Sequence, residues 1–178
     1  MISSQIDSLD KIFSGELQNG IITEISGLRG TGKTQLALQF AIEPLSNNKK
    51  ILFIDTTVEF RPERFLQMIQ SRNLPTSLLE NLHVSRVTDT QKQIEVLKSF
   101  EKDSFSLLII DNVTDLFSFE YSKKEHLIEK NLNFGNYMIN LSKLALSKNM
   151  PIIITNQILS YDEKNYERMH AQLENYVH

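Results

Sequence analysis

"GLRGTGKTQLALQFA", residues 27–41, is the stretch on which the reading of this chain turns. Gly27 is followed by four residues and then by Gly32-Lys33-Thr34. A glycine-rich turn lets the backbone N–H groups of Leu28, Arg29, Gly30, Thr31 and Gly32 converge on one concavity. The helix expected to follow, through Gln35, adds the positive end of its dipole. The Lys33 ammonium is then placed to reach the β- and γ-phosphates of a nucleotide, and the Thr34 hydroxyl to ligate magnesium. The competing reading is an ordinary turn ahead of a helix.

The neighbouring segments alternate in type. "GIITEIS" (20–26) is short, β-branched and bounded by glycines, so it predicts a strand running into the loop. "TQLALQFAIEPL" (34–45) carries a broad apolar helical face, and "KILFIDT" (50–56) is a continuous apolar run ending in a carboxylate. "RPERFLQMIQSRN" (61–73) predicts a helix with Pro62 in its first turn. "LHVSRV" (82–87) predicts a strand, and 89–102 a helix capped by Asp89. "FSLLIIDNV" (105–113) is the strongest buried strand, 114–130 is ambiguous, 132–148 is helical, and "MPIIITNQI" (150–158) closes as a strand. Strand–helix alternation of this kind predicts an α/β fold, a mainly parallel sheet flanked by helices on both faces.

With 178 residues, 40% of them hydrophobic, the chain suffices for one domain, residues 1–178, with a sizeable core. A net charge of −3 removes the bulk-charge argument for nucleic acid or an anionic membrane, though local basic loops remain open. The chain has no cysteine, so it holds no disulfide and no thiolate metal site. Residues 1–20 contain no long apolar run, which argues against a signal peptide or membrane span. The expectation is a cytoplasmic protein.

A phosphate loop becomes a hydrolase site when an acid stands at the end of a neighbouring strand. "LLIID" (107–111) supplies one: four apolar residues bury the strand and Asp111 emerges at its C-terminal end, where open α/β sheets place ligands. There it would orient the magnesium shell opposite Thr34. Read alone, Asp111 fits a helix cap as well.

In this order and spacing, "SLDKIFSGELQNGIITEISGLRGTGKTQLALQFA", "ILFIDTTVEFRPERF", "LLIIDNVTDLFSFEYS" and "IIITNQI" resemble the RecA/RadA recombinase ATPases, over most of the chain. The strings "FRPER" and "ITNQ" are more specific than the loop. The resemblance implies a RecA-like P-loop NTPase fold, with Gly27–Thr34 and Asp111 in its Walker A and Walker B places. It also implies ATP and Mg2+ as cofactors and a role in DNA recombination and repair. Within the superfamily the chain is similar to RadB-like archaeal RadA paralogues, which have no helical DNA-binding domain ahead of the ATPase core. The family places the arginine of "PER", here Arg64, on adenine, and the glutamine of "TNQ", here Gln157, at the γ-phosphate. A helix-surface arginine and a solvated loop amide are the alternatives for these two.

The departures carry information of their own. The family reads Asp-Thr-Glu-Gly after the second strand, and its glutamate polarises the attacking water. Here the string is Asp55-Thr56-Thr57-Val58-Glu59. Threonine cannot accept a proton as a carboxylate does, so hydrolysis is expected to be slow, with Lys33 and Gln157 retained and Glu59 as a partial substitute or an ordinary loop charge. DNA contact would fall on 121–131, with Lys123, Lys124 and Lys130 interleaved with Glu125 and Glu129. A second contact would fall on 159–170, with Tyr161, Lys164, Tyr166 and Arg168. Both read equally as mixed-charge solvated loops. "HAQLENYVH" (170–178) resembles the approach to a further family strand, so the expectation is a core shortened at its C-terminal side, cut or natural, with a sheet edge open to a partner.

Two functions follow. One is a slow, DNA-dependent ATPase that acts with single-stranded DNA. The other is an accessory module that binds ATP without turning it over and docks to a recombinase or other repair protein. Either admits a homo- or hetero-oligomer.

Overall fold

Leu107-Leu108-Ile109-Ile110-Asp111 forms a strand in which every residue is buried. Successive side chains of a strand point to opposite faces, so an unbroken apolar run requires cover on both. The computed structural model of the chain, which describes residues 2–12, 15–99 and 104–158, supplies that cover. Leu107 and Ile109 belong to one hydrophobic cluster, and Leu108 and Ile110 to another on the opposite face.

In chain order the elements are α1 (Asp7–Ile12), β1 (Ile22–Gly27), α2 (Lys33–Ser46), β2 (Ile51–Asp55), α3 (Pro62–Gln70), β3 (Leu82–Arg86), α4 (Thr90–Ser99), β4 (Leu107–Asp111), α5 (Asp115–Glu120), α6 (Leu127–Lys148) and β5 (Ile152–Gln157). The five strands form one sheet in the order β1-β5-β4-β2-β3, with every pairing parallel. On the first face α2 and α3 bring Phe40, Leu45, Phe65 and Ile69 against Phe53 and Ile153. On the second, α4, α5 and α6 bring Leu97, Phe117, Met138 and Leu141 against Leu52, Ile54 and Ile154. The α/β expectation is met.

Register matters most for function. Asp55 lies opposite Asp111, and Gly27 opposite Gln157, so these strands end level with one another. The loops that leave them open onto one edge of the sheet, the place where parallel sheets bind ligands.

Local chemistry sets the helix limits. Asp89 caps α4 as expected, its Oδ1 accepting from the Lys92 backbone N–H at 2.8 Å. Bonds from the Lys92 side chain and backbone hold the Asp89 carboxyl below its ordinary range. Asn149, in the left-handed region at φ 49°, stops α6. The ambiguous stretch 114–130 divides into α5, a 3-10 turn at Lys124–His126 and the start of α6. Leu127, Ile128 and Leu132 there are more than half exposed, so the opening of α6 presents no core stripe to read. No helix among the described residues is long and apolar enough to cross a membrane.

Candidate functional site

The loop between β1 and α2 is built around its glycines. Gly30 and Gly32 have φ of 78° and 90°, a region costly for residues bearing a Cβ. A Cβ on Gly27 would stand 2.9 Å from Thr31 Oγ1, too close to fit. Thr31 closes the turn by donating its hydroxyl to the Leu28 carbonyl at 2.8 Å. The Lys33 ammonium folds back over the same turn, donating to the Gly27 and Leu28 carbonyls at 3.1 and 2.8 Å. The first helical bond, Leu36 N–H to the Gly32 carbonyl at 2.8 Å, fixes α2 behind it.

From the end of β4, Asp111 meets this loop. Thr34 donates its hydroxyl to Asp111 Oδ2 at 2.6 Å, and Thr155 of β5 donates to the other carboxylate oxygen. Asp111 is 7% exposed. Burial pushes its carboxyl up, while the hydroxyls of Thr155 and Thr34 oppose the shift. The cap alternative for Asp111 gives way, because α5 starts only at Asp115.

The loop after β2 is held from beneath. Thr56 donates to the Asn112 carbonyl at 2.6 Å and accepts from Asn112 N–H at 2.8 Å. The fully buried Asp55 accepts from the Thr57 hydroxyl at 3.0 Å and from Phe60 N–H at 3.1 Å, with Arg86 Nε at 3.7 Å. The Thr57 hydroxyl proton is therefore directed inward. Glu59 pairs with Arg29 of the glycine loop at 2.8 Å, both side chains mostly exposed, a pair worth at most about 1 kcal/mol. Thr57 and Glu59 would share a face only if strand geometry persisted past Asp55. It does not: Val58 adopts φ 59°.

A left-handed β-branched residue costs about 1–3 kcal/mol, against about 0.5–1 kcal/mol for the extra chain entropy of glycine. Val58→Gly is therefore expected to raise stability by about 1 kcal/mol, read from the urea unfolding midpoint. A lowered midpoint would contradict the strain assigned to this position.

Arg64 of α3 crosses to the first turn of α2, donating from Nε to Gln35 Oε1 at 3.1 Å. Between these elements lies a cleft of about 380 Å³, bordered by Arg29, Gly30, Gly32, Lys33, Thr34, Gln35, Glu59, Arg64, Asp111 and Gln157. Residues separated by up to 128 positions in sequence, Arg29 and Gln157, thus meet at one cleft. Gly27, Leu28 and Thr31 contribute by shaping the loop behind it. Thr57, expected in the place of the family's glutamate, borders this cleft too, whereas Arg61 at its edge and Thr155 as a partner of Asp111 were not foreseen from the sequence. The first arginine of "FRPER" and the threonine of "ITNQ" were the signals available. A groove of about 500 Å³ between α4 and α6 has three lysines on its walls but no carboxylate.

The stretch 121–131 compensates its own charge. Lys123 stands 3.9 Å from Glu125, His126 lies between Glu125 and Glu129, and Lys130 donates to Ser118 Oγ at 3.0 Å. The second expected DNA segment, 159–170, and the stretch 170–178 lie outside the described residues.

Comparison with known proteins gives this geometry a context. The family model described as Rad51 matches residues 1–175. A protein of Cenarchaeum symbiosum named "DNA repair and recombination protein RadA" is 29% identical over 171 residues, covering 90% of this chain and 43% of its own length. Proteins of the same name from two strains of Methanococcus maripaludis are 29% and 30% identical over 179 residues, covering 88% of this chain and 56% of their own. The chain thus spans about half the length of these relatives.

Proposed function

The chain belongs to the Rad51 family, and on that premise we propose that it is a RecA/RadA-like paralogue that binds ATP with Mg2+ in DNA recombination and repair and hydrolyses it slowly. The observation that carries this reading is the 2.6 Å contact of Thr34 with Asp111, which brings the glycine loop and the strand-end acid together.

The donor set fits magnesium. A threonine hydroxyl and a carboxylate are hard oxygen donors, and magnesium binds through one or two such groups together with waters and phosphates. Among the described residues no cluster of three or more His, Cys, Asp or Glu could cage a metal without phosphate. Bound there, the ion would offset charge on the β- and γ-phosphate oxygens. The loop N–H groups from Leu28 to Gly32 would cradle the phosphates, Lys33 would compensate their charge, and Arg64 and Gln35 would face the base side. Gln157, level with Gly27 in the adjacent strand, would sense the γ-phosphate. ATP turnover measured with and without single-stranded DNA tests the hydrolytic reading.

A second reading, an accessory module that binds ATP without turnover and docks to a recombinase or another repair protein, draws on a specific observation. The Thr57 hydroxyl is committed to Asp55 and Glu59 to Arg29, which leaves neither poised on a water. In both readings the nucleotide state sets affinity for a partner, whether single-stranded DNA, a second copy or a repair protein. An amide that bonds the γ-phosphate of ATP loses that acceptor in ADP, which supplies the differential contact that any switch requires. Gln157→Ala is expected to keep ATP affinity and to erase a roughly few-fold difference in single-stranded DNA binding between the ATP-analogue and ADP states. Fluorescence anisotropy of labelled oligonucleotide reads it; an undiminished difference in the variant would remove Gln157 from the switch.

A further inference from the structure

Four cations border the nucleotide cleft: Arg29, Lys33, Arg61 and Arg64. Lys33 rests on the neutral Gly27 and Leu28 carbonyls, and Arg64 on the Gln35 amide oxygen. Arg29 differs. Among the described residues it is the one cation of the cleft that is ion-paired to a carboxylate, that of Glu59 at 2.8 Å. A carboxylate on the rim of a phosphate site repels the ligand unless a cation accompanies it. Both partners leave anchored backbone. Arg29 belongs to the turn that Thr31 closes on Leu28, with Gly30 at φ 78° directly after it. Glu59 N–H donates to Thr57 Oγ1 at 3.2 Å, and Phe60 N–H to the buried Asp55 at 3.1 Å.

The pair also stands at a particular end of the cleft. Arg64 and Gln35 meet on the base side in the nucleotide reading. Arg29 instead reaches the loop after β2, whose Thr57 borders the cleft together with Gln157, the residues of the γ-phosphate side. The Arg29 and Glu59 side chains are 78% and 64% exposed, so solvent screens their attraction and little opposes its exchange for a stronger partner. A phosphate group is such a partner. Glu59 takes one bond from the guanidinium, at Nη2, whereas a phosphate accepts the planar fork through two parallel bonds and carries more charge. An ordinary surface ion pair explains the contact but not its place, with both members on the cleft.

We propose that Arg29 distinguishes ATP from ADP at this site: the γ-phosphate takes its guanidinium from Glu59, and with ADP the pair stays closed; this rests on the nucleotide reading. Glu59 is then a competitor that holds Arg29 at the rim until a triphosphate arrives. Competition gives the two partners opposite signs. Loss of the Arg29 guanidinium weakens triphosphate binding, and loss of the Glu59 charge strengthens it. A pair that merely braces the two loops gives both losses the same sign.

The test uses the full chain with magnesium and titrates a non-hydrolysable ATP analogue and, separately, ADP in a calorimeter. Arg29→Ala is expected to weaken the analogue roughly tenfold, the loss of one charge-assisted bond, and ADP by no more than about twofold. Glu59→Gln is expected to tighten the analogue by up to about fivefold, the full strength of an exposed pair. In the double variant most of that gain should vanish, because no guanidinium remains to be released. Arg29→Gln serves as a second variant should the alanine protein fail to fold. Unchanged analogue affinity in Arg29→Ala, equal losses for analogue and ADP, or weaker analogue binding in both single variants would overturn the role of Arg29 while leaving the nucleotide reading in place. A wild-type protein that binds neither nucleotide would instead overturn the nucleotide reading, and this role with it.

Discussion

Thr57→Glu is expected to raise ATP turnover by about a hundredfold, the lower part of the range for general-base assistance. A threonine hydroxyl cannot take a proton from water, and here it is already donated to Asp55 at 3.0 Å. A glutamate at this position extends past that bond toward the cleft that Thr57 borders. The change forfeits the hydroxyl's bond to the Asp55 carboxylate, roughly 1.5–3 kcal/mol of stability for a bond to a charged group, and adds a negative charge near Asp55, which Arg86 at 3.7 Å partly offsets. Glu59→Gln divides the remaining possibilities: a collapse of wild-type turnover would assign the carboxylate role to Glu59 in spite of its pairing with Arg29. Unchanged turnover in Thr57→Glu, with ATP affinity intact, would contradict the view that hydrolysis is limited at position 57.

The parts of this fold that the sequence made legible are those governed by burial. β2 and β4 are covered on both faces, so each had to be an uninterrupted apolar run, and each ends in an acid whose emergence marks the functional edge. The glycine loop was legible because its left-handed turns admit few other residues. What stayed hidden has no periodicity to reveal it. α1 buries none of its side chains fully and packs only Leu9 partly against the core, so no apolar stripe separates it from a loop. The opening of α6 is apolar but exposed. The capture of Thr57 by Asp55 depends on the chain turning sharply after β2, and the left-handed Val58 that makes the turn is a residue that argues against one. Arg29 and Glu59 are 30 positions apart and meet only because β1 and β2 send their loops to the same edge.

The second large effect concerns binding. Lys33→Ala is expected to weaken ATP affinity roughly ten- to a hundredfold, matching the ~1.5–3 kcal/mol of a charge-assisted hydrogen bond. Lys33 is anchored at the first residue of α2, while its ammonium rests on the Gly27 and Leu28 carbonyls at 3.1 and 2.8 Å. These are neutral acceptors, and phosphate oxygens bearing full charge would compete well for the same donors. Truncation leaves the loop N–H groups and the start of α2 in place, so binding should weaken while the fold persists. The glycine turns do not depend on the lysine side chain.

Isothermal titration of ATP into the wild-type and Lys33→Ala proteins, with magnesium and with magnesium chelated, tests the phosphate-loop assignment most directly. One ATP is expected per wild-type chain, with weaker binding without magnesium and a ten- to hundredfold loss in Lys33→Ala, about 1.5–3 kcal/mol. Equal affinity in the two proteins, or no saturable binding by wild type, would contradict it.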